Sequence, residues 1–513
     1  IGLVLLVLSG IVLRRASGRP LLSFGIGLTA YAALVAVAAV FSGSMSSPDA
    51  EKAVFTPAKT AQGPNIFLIA VDTLRADYLK AWNPAIETRT PNMDAFLQDS
   101  VRFEHAFSQA SWTKASFGSI FSGMYPECHT AVTKTASLPP DVETVAELLQ
   151  AGGYYTKGFA NNPNIASIFG YGQGFVNYTD LKKSLHFWAT PSAANLSLYD
   201  VLIKVRETLK DKLRRPIIVT DYYQPAPVVK DAALDFLDRG ESPSGVPFFL
   251  FTHFMDPHDP FMDPDTRVGG YGRKRLGNPD PERYLDKMRR AYIGEIEYLD
   301  KSLGDFFAGL KERGLYDNAL IVLTADHGEE FQEHGGWWHG QTLFDEQTHV
   351  PMIIKLPGKA RAGEVNGNLA RNLDLAPTLL HFAGLEKGKM MQGQSLIDAA
   401  GEFTNASIGY SYAENDFEGI VLQAVRTTDH KLIRANAGNS RGLPPIALYD
   451  MAADPTEQSN RSGEAALAEV ETLLNGTIDA YLKICDENAV DPSQVKIDAG
   501  TLDALDAIGY IGK

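Results

Sequence analysis

Short apolar runs recur along the chain, each ending abruptly at polar or turn-forming residues. They are Asn65–Val71 (NIFLIAV), Tyr154–Ala160, Val246–Phe254 (VPFFLFTHF), Ala319–Ala325 (ALIVLTA) and Val350–Leu356 (VPMIIKL). Runs of this length with no polar alternation predict strands buried on both faces. Helical signals lie between them. Thr90-Pro91-Asn92 offers an N-cap followed by a proline at the first helical position, leading into MDAFLQDS. Thr144–Gln150 reads as helix, and Glu282–Arg313 carries apolar residues at helical spacing. Strands alternating with helices predict an α/β fold with a mostly parallel central sheet flanked by helices. Beyond about residue 403 the pattern changes. Val421–Arg426 and Lys431–Ala435 form a hairpin pattern, Leu448–Asp450 a third short strand and Glu464–Ile484 a helix. These predict a smaller C-terminal α+β subdomain over residues 404–513, after a main domain spanning 64–403.

The N-terminal region is different again. Leu21–Phe41 contains no charge and matches the ~20 residues needed to cross a bilayer core. Ile1–Leu13 is also apolar, with Arg14, Arg15 and Arg19 between the two runs. Residues 1–42 are therefore expected to be transmembrane helices, with residues 43–63 as a linker. The chain opens on Ile1 rather than Met, so the first span is expected to extend upstream. The positive-inside rule leaves the Arg-rich hairpin in the cytoplasm and puts the rest on the extracytoplasmic side, periplasmic or extracellular. A cleaved signal peptide fits less well, because the second run is long and lacks a convincing cleavage site.

Composition narrows the partners. With 45% hydrophobic and 21% charged residues the chain is globular. A net charge of −15 and a pI near 5.2 argue against nucleic acid, which demands a basic footprint. The two cysteines, Cys128 and Cys485, match no zinc motif. A single bridge in an oxidising compartment and two separate thiols both remain open.

The candidate chemistry sits at strand ends, where open α/β sheets bind ligands. NIFLIAV runs into Asp72, and ALIVLTA runs into Asp326-His327. Either aspartate alone reads equally well as a helix N-cap. Two strands ending this way, one with an adjacent histidine, point to a cation held by oxygen and nitrogen ligands. Thr113, in Trp112-Thr113-Lys114-Ala115-Ser116, opens a helical stretch. Alone it is better explained as an N-cap; beside a metal, a hydroxyl there becomes a nucleophile. Five of the eleven histidines fall in three short segments near predicted strand ends: His253, His258, His327, His334 and His339. A loop or partly buried position is the simpler account of His253, and His334 is open. Lys114 either assists an anion or is a solvated lysine. Arg75 and Asp77 read as loop-orienting ion-pair residues, Glu329 and Glu330 as support, and Asp374 as a helix N-terminal carboxylate.

Taken together, NIFLIAVDTLRADY, the T-x-A-S block, MDPHDP, TADHGEEFQEHG, HGQTLFDEQTHVPMIIKLPG, LDLAPTLL and LYDMAADPTEQSN resemble the sulfatase family of the alkaline-phosphatase superfamily, from about residue 64 onward. The resemblance implies an alkaline-phosphatase-like fold and one divalent metal ion (Mn, Zn, Mg or Ca) held by Asp72, Thr113, Asp326 and His327. It also implies that His258 and His339 contact the transferred group or the leaving oxygen, His339 standing where many sulfatases carry Lys. Sulfatases use C-x-P-S-R or S-x-P-S-R, whose first residue becomes formylglycine. Here the aligned run is Thr113-Lys114-Ala115-Ser116-Phe117, and threonine cannot undergo that conversion. Asp72-Thr73 replaces a frequent Asp-Asp. A threonine nucleophile resembles lipoteichoic acid synthases and phosphoethanolamine transferases, so phosphate mono- or diesters are favoured over sulfate esters. A hydrolase or phosphotransferase acting on an anionic ester is expected, and a membrane anchor makes lipid-linked or cell-envelope substrates attractive by proximity. The alternatives are a sulfatase working without formylglycine, a two-metal phosphodiesterase using Asp256, His258 and His339, and a non-catalytic binding protein that kept the fold.

Overall fold

A computed structural model describes residues 55–57, 59–181, 218–262, 270–398, 400–404, 409–497, 499–508 and 510. The predicted membrane segments lie outside these residues, as do most of the linker and much of the stretch 177–225. Among the described residues no helix is long and apolar enough to cross a membrane.

Every apolar run forms a strand of one eight-stranded sheet. In chain order its strands are β1 (Ile66–Val71), β2 (Val101–Phe107), β3 (Tyr155–Ala160), β4 (Asn177–Asp180), β5 (Phe248–Phe254), β6 (Leu320–Ala325), β7 (Met352–Lys355) and β8 (Val365–Arg371). Their spatial order is β8-β2-β7-β6-β1-β5-β3-β4. β7 runs antiparallel to both β2 and β6, and the other pairings are parallel. The run-based reading misses β2, β4 and β8. β2 (VRFEHAF) and β8 (VNGNLAR) are only partly buried and carry polar residues on one face, so neither shows as a continuous apolar run.

Helices cover both faces: α1 (Pro91–Gln98), α2 (Thr113–Ser122), α3 (Val145–Ala151), α4 (Ala226–Asp238), α5 (Pro281–Glu312) and α6 (Leu375–Phe382). Strand pleating divides the core between them. Phe67, Ile69 and Val71 of β1 face the layer containing α1, α4 and α5. Ile66, Leu68 and Ala70 face the layer containing α2, α3 and α6. α5 starts at Asp280, whose carboxylate accepts from the Glu282 N–H, with Pro281 at the first helical position. Its Met288, Tyr292, Ile296, Leu299, Leu303, Phe306 and Leu310 recur at helical spacing and are buried. α3 carries a reciprocal capping box between Thr144 and Glu147.

The C-terminal part holds a four-stranded antiparallel sheet, β9 (Ser411–Phe417), β10 (Ile420–Arg426), β11 (His430–Ala435) and β12 (Ile446–Asp450), followed by helices α7 (Ala468–Asn488) and α8 (Ala499–Ala507). This chain end returns to the main domain. Cys485, near the end of α7, is bonded to Cys128, with their Cα atoms 4.6 Å apart. Just beyond, Ser493–Gln494 pairs antiparallel with Ala136–Ser137. The bridge ties positions 357 residues apart, and linking distant points restricts the unfolded chain. Cys485→Ser is expected to lower unfolding stability by about 2–4 kcal/mol. Urea unfolding of the oxidised proteins would measure this, and coincident midpoints for variant and parent would refute it.

Candidate active site

Register and pleat assemble the site. Val71 pairs with Phe254 on one side and Ala325 on the other, so β1, β5 and β6 end level. The positions facing α2 alternate along each strand: 66, 68 and 70; 249 and 251; 320 and 322. Continuing each series by steps of two reaches Asp72, His253 and Asp326. All three are buried. Above them stands the N-terminus of α2, with Trp112 extended at the cap and Thr113 as the first helical residue. The cap position belongs to Trp112, and the Thr113 hydroxyl faces His327, Asn162 and Tyr510, so the N-cap account of it fails. α2 ends at Gly123, where a φ of 65° favours glycine.

One ligand atom each from Asp72, Asp326 and His327 lies within 4.8 Å of the others. His327 Nε2 is 3.7 Å from Asp72 Oδ1, 3.4 Å from Asp326 Oδ2 and 3.3 Å from Thr113 Oγ1. His327 Nδ1 is 2.9 Å from the Gly328 carbonyl and donates to it, which leaves the Nε2 lone pair free for a metal. Gly328 is required here, because a Cβ would sit 2.1 Å from the Glu346 carbonyl oxygen. Asp326 Oδ1 accepts from the N–H groups of Thr73 and His327. Thr73 reaches it with a φ of 56°, a left-handed conformation that costs a β-branched residue about 1–2 kcal/mol. Asp72 Oδ1 and Asp326 Oδ2 have no hydrogen-bond partner among the described residues. Burial, then repulsion from Asp326, raises the Asp72 carboxyl well above its ordinary value, and burial raises Asp326 to about 7. Burial lowers His327 to about 3. Two buried carboxylates, each with one oxygen left without a hydrogen bond among the described residues, beside a neutral imidazole fit a divalent cation, which would relieve both burial and repulsion.

Around this centre the structure brings together most residues named from sequence, and adds others. His258 and His339 have ring centroids 5.0 Å apart, and His339 and His327 4.5 Å. His258 Nδ1 donates to the Asp259 carbonyl at 2.6 Å, and its Nε2 has no partner among the described residues. His339 Nδ1 is 3.1 Å from Glu329 Oε1, which makes Glu329 a direct support of that ring. Burial, reinforced by the charge of Arg273, lowers His339 well below the usual histidine range. His253 departs from a loop or partly buried position. It is buried 3.5 Å from Asp72 Oδ2, and Phe117, standing at the position of the sulfatase arginine, packs edge-on against its ring at 5.1 Å.

Lys114 turns elsewhere. Its ammonium donates to the Lys134 and Ala136 carbonyls and lies 3.6 Å from the centroid of the Phe169 ring. Burial lowers its pKa to about 7. His334 is also outside the cluster, paired with Glu346 at 2.7 Å. Arg75 bridges Asp77 and Glu333, and Glu330 pairs with Arg441. Asp374 pairs with Arg371 at 2.7 Å.

Asn162, Arg273 and Tyr510 were missed. Asn162 follows β3 and donates to Asp72 Oδ2 at 2.7 Å and to Thr113 Oγ1 at 3.2 Å. Its signal was the end of a predicted strand, the same cue that found Asp72. Arg273 opens a four-residue helical turn, Arg273–Leu276, too short to show a periodicity, and Tyr510 lies 397 residues from Thr113. No local pattern marks either one.

A candidate oxygen-and-nitrogen cation site, a helix-borne hydroxyl and neighbouring imidazoles meet at the carboxyl ends of a mostly parallel sheet, and the family comparison identifies the chain as a hydrolase of the alkaline-phosphatase superfamily. Residues 64–385 match the Sulfatase family and residues 332–483 match the C-terminal region of N-sulphoglucosamine sulphohydrolase. The chain belongs to the sulfatase family. It is 26% identical over 446 residues to an arylsulfatase of Clostridium perfringens, covering 77% of this chain and 90% of that one. It is 25% identical over 486 residues to the multifunctional alkaline phosphatase superfamily protein PehA of Trinickia caryophylli, covering 79% and 92%. Among solved structures, the phosphonate monoester hydrolase of Agrobacterium radiobacter matches with a TM-score of 0.62 at 21% identity, over 85% of this chain and all of that one.

The raised carboxyls set a pH dependence. The ordinary aspartate value is 3.8, so between about pH 4 and pH 7 the unfolded chain releases the Asp326 proton that the metal-free fold retains. Metal-free stability therefore falls as pH rises through that window. Cation binding needs the deprotonated site. The Tm increase on adding Mn is expected to be larger at about pH 8 than at about pH 5.5. Differential scanning fluorimetry with and without Mn tests this, and equal increases at both pH values would contradict it.

Proposed function

We propose that this chain cleaves or transfers anionic esters with Thr113 as nucleophile, favouring phosphate mono- or diesters over sulfate esters. The observation that carries the reading is the position of Thr113 Oγ1, 3.3 Å from His327 Nε2 and hydrogen-bonded by Asn162. Asp72, Thr113, Asp326 and His327 would hold one divalent ion, with Mn, Zn, Mg and Ca all suited to such ligands. When bound, the ion supplies positive charge that favours the Thr113 alkoxide and offsets charge on substrate oxygens.

The chain's own residues account for the rest. Asn162 fixes the hydroxyl against Asp72. Thr113 Oγ, its proton released to solvent, attacks phosphorus as the bond to the leaving oxygen breaks, and His258 or His339 protonates or stabilises that oxygen. Water or an acceptor alcohol then attacks the threonine phosphate and restores Thr113. A threonine sulfate has no aldehyde to collapse to, so its release would require attack at sulfur, and this favours phosphorus. The names of the curated relatives favour a second reading. They include sulfatases, and one solved neighbour is a complex with D-glucosamine-2-N,6-O-disulfate. These names support an anionic ester substrate under either reading.

The uncharged stretch Leu21–Phe41 supports a membrane-anchored protein with this domain on the extracytoplasmic side. The Cys128–Cys485 bridge suits that oxidising setting. Lipid-linked or envelope esters are then within reach.

Purified protein assayed on aryl phosphate, aryl phosphodiester and aryl sulfate with added Mn is expected to turn over the phosphoesters. Thr113→Ala should lower kcat by about 10³-fold or more. Sulfate turnover without phosphoester turnover would replace this reading with the second one.

A further inference from the structure

Tyr510 stands among the reacting groups, yet the reaction as assigned gives it no part. Its Oη is 3.3 Å from Thr113 Oγ1 and 2.7 Å from His339 Nε2. The side chain is 1% exposed. Its ring stacks on His258 at 6.3 Å and 23°, tilts over Trp112 at 6.2 Å and meets Phe417 edge-on at 6.0 Å. The Arg273 guanidinium lies 5.8 Å from the ring centroid.

The segment carrying Tyr510 is held at several points. After the Cys485 bridge, the Val490 N–H donates to the Cys128 carbonyl at 3.1 Å, and Ser493–Gln494 pairs with Ala136–Ser137. On α8, Asp506 pairs with Lys274 at 2.6 Å, and Leu505 joins the core layer that contains α2, as does Ile508. The Tyr510 N–H donates to the Leu505 carbonyl at 3.0 Å. A side chain anchored this way stays in place while substrate binds beside it. Its packing needs only the ring, which phenylalanine would supply. The hydroxyl is therefore the part that chemistry can use, and it lies between the nucleophile and one of the two imidazoles that serve the leaving oxygen.

We propose that Tyr510 is a further catalytic residue, its phenol hydroxyl contacting Thr113 Oγ and, once substrate is bound, an oxygen of the transferred group. This rests on Thr113 being the nucleophile. The hydroxyl aligns the attacking oxygen and shares with His339 the oxygens that gain charge as the ester bond breaks. The contribution is to the rate of group transfer more than to ground-state binding.

The test is Tyr510→Phe in the full chain with Mn, assayed on aryl phosphate beside Thr113→Ala. The expected result is a kcat about 10²-fold lower, with KM changed less than about threefold and the Mn-induced Tm shift preserved. An unchanged kcat overturns the proposal. A rise in kcat/KM also overturns it, because the residue would then be a plug that substrate must displace. If Tyr510→Phe lowers Tm, Phe417→Leu serves as a packing control, and an equal kcat loss in both variants overturns the proposal. Full turnover by Thr113→Ala would instead sink the nucleophile assignment on which the proposal rests. An inactive Thr113→Ala beside a fully active Tyr510→Phe would leave that assignment standing and remove only the tyrosine.

Discussion

Two carboxylates that repel each other sit in a place that water does not reach, and much of the molecule is arranged around that fact. Asp72 and Asp326 project from neighbouring parallel strands at the same level, so the register that stabilises the sheet also forces them together. Isolated, such a pair would take up a proton rather than remain charged. Among the described residues neither is paired with a lysine or arginine. The structure surrounds them instead with Asn162, His327, two backbone N–H groups and the N-terminal end of α2, all groups that leave carboxylate oxygens available. The fold thus stores an unmet demand for positive charge at the foot of Thr113.

Rigidity around that point comes from the opposite kind of electrostatics. Arg75, three residues after Asp72, is buried and satisfied by Asp77, Glu333 and the Glu329 carbonyl. The Tyr292 hydroxyl on α5 donates to the Thr73 carbonyl and accepts from the Arg75 N–H. These contacts hold the left-handed turn at Thr73 from the sheet face opposite α2. Fully paired ions support the loop, while unpaired ones line the centre, and the difference separates scaffold from site.

How much of this could be read from sequence follows from how local each signal is. Strands buried on both faces are continuous apolar runs, so β1, β5 and β6 and the residues that end them were readable, and with them Asp72, Asp326 and His327. Thr113 was readable only through the motif around it, since a threonine opening a helix ordinarily caps it. His253 reads as a loop or partly buried residue because one histidine in an apolar run says nothing of its neighbours; only pairing with β1 brings it, fully buried, to Asp72. Lys114 was identified by adjacency, but residues one apart on a helix point in different directions, and its ammonium leaves the cluster for backbone carbonyls. Cys128 and Cys485 carried no spacing rule at all, and only the return of α7 brings them together. Partly buried strands such as β2 and β8 mix polar and apolar positions, and their identity comes from the neighbours that flank them.

The route taken by the polypeptide after β12 has a bearing on how the protein matures. Thr113 and Tyr510 are separated by 397 positions, and the segment between supplies nearly every other group around the Thr113 hydroxyl. A chain emerging from a ribosome builds β1 and α2 early, long before the tyrosine exists. Only the return of the C-terminal stretch, bridged at Cys485 and paired at Ser493–Gln494, brings the Tyr510 hydroxyl beside Thr113.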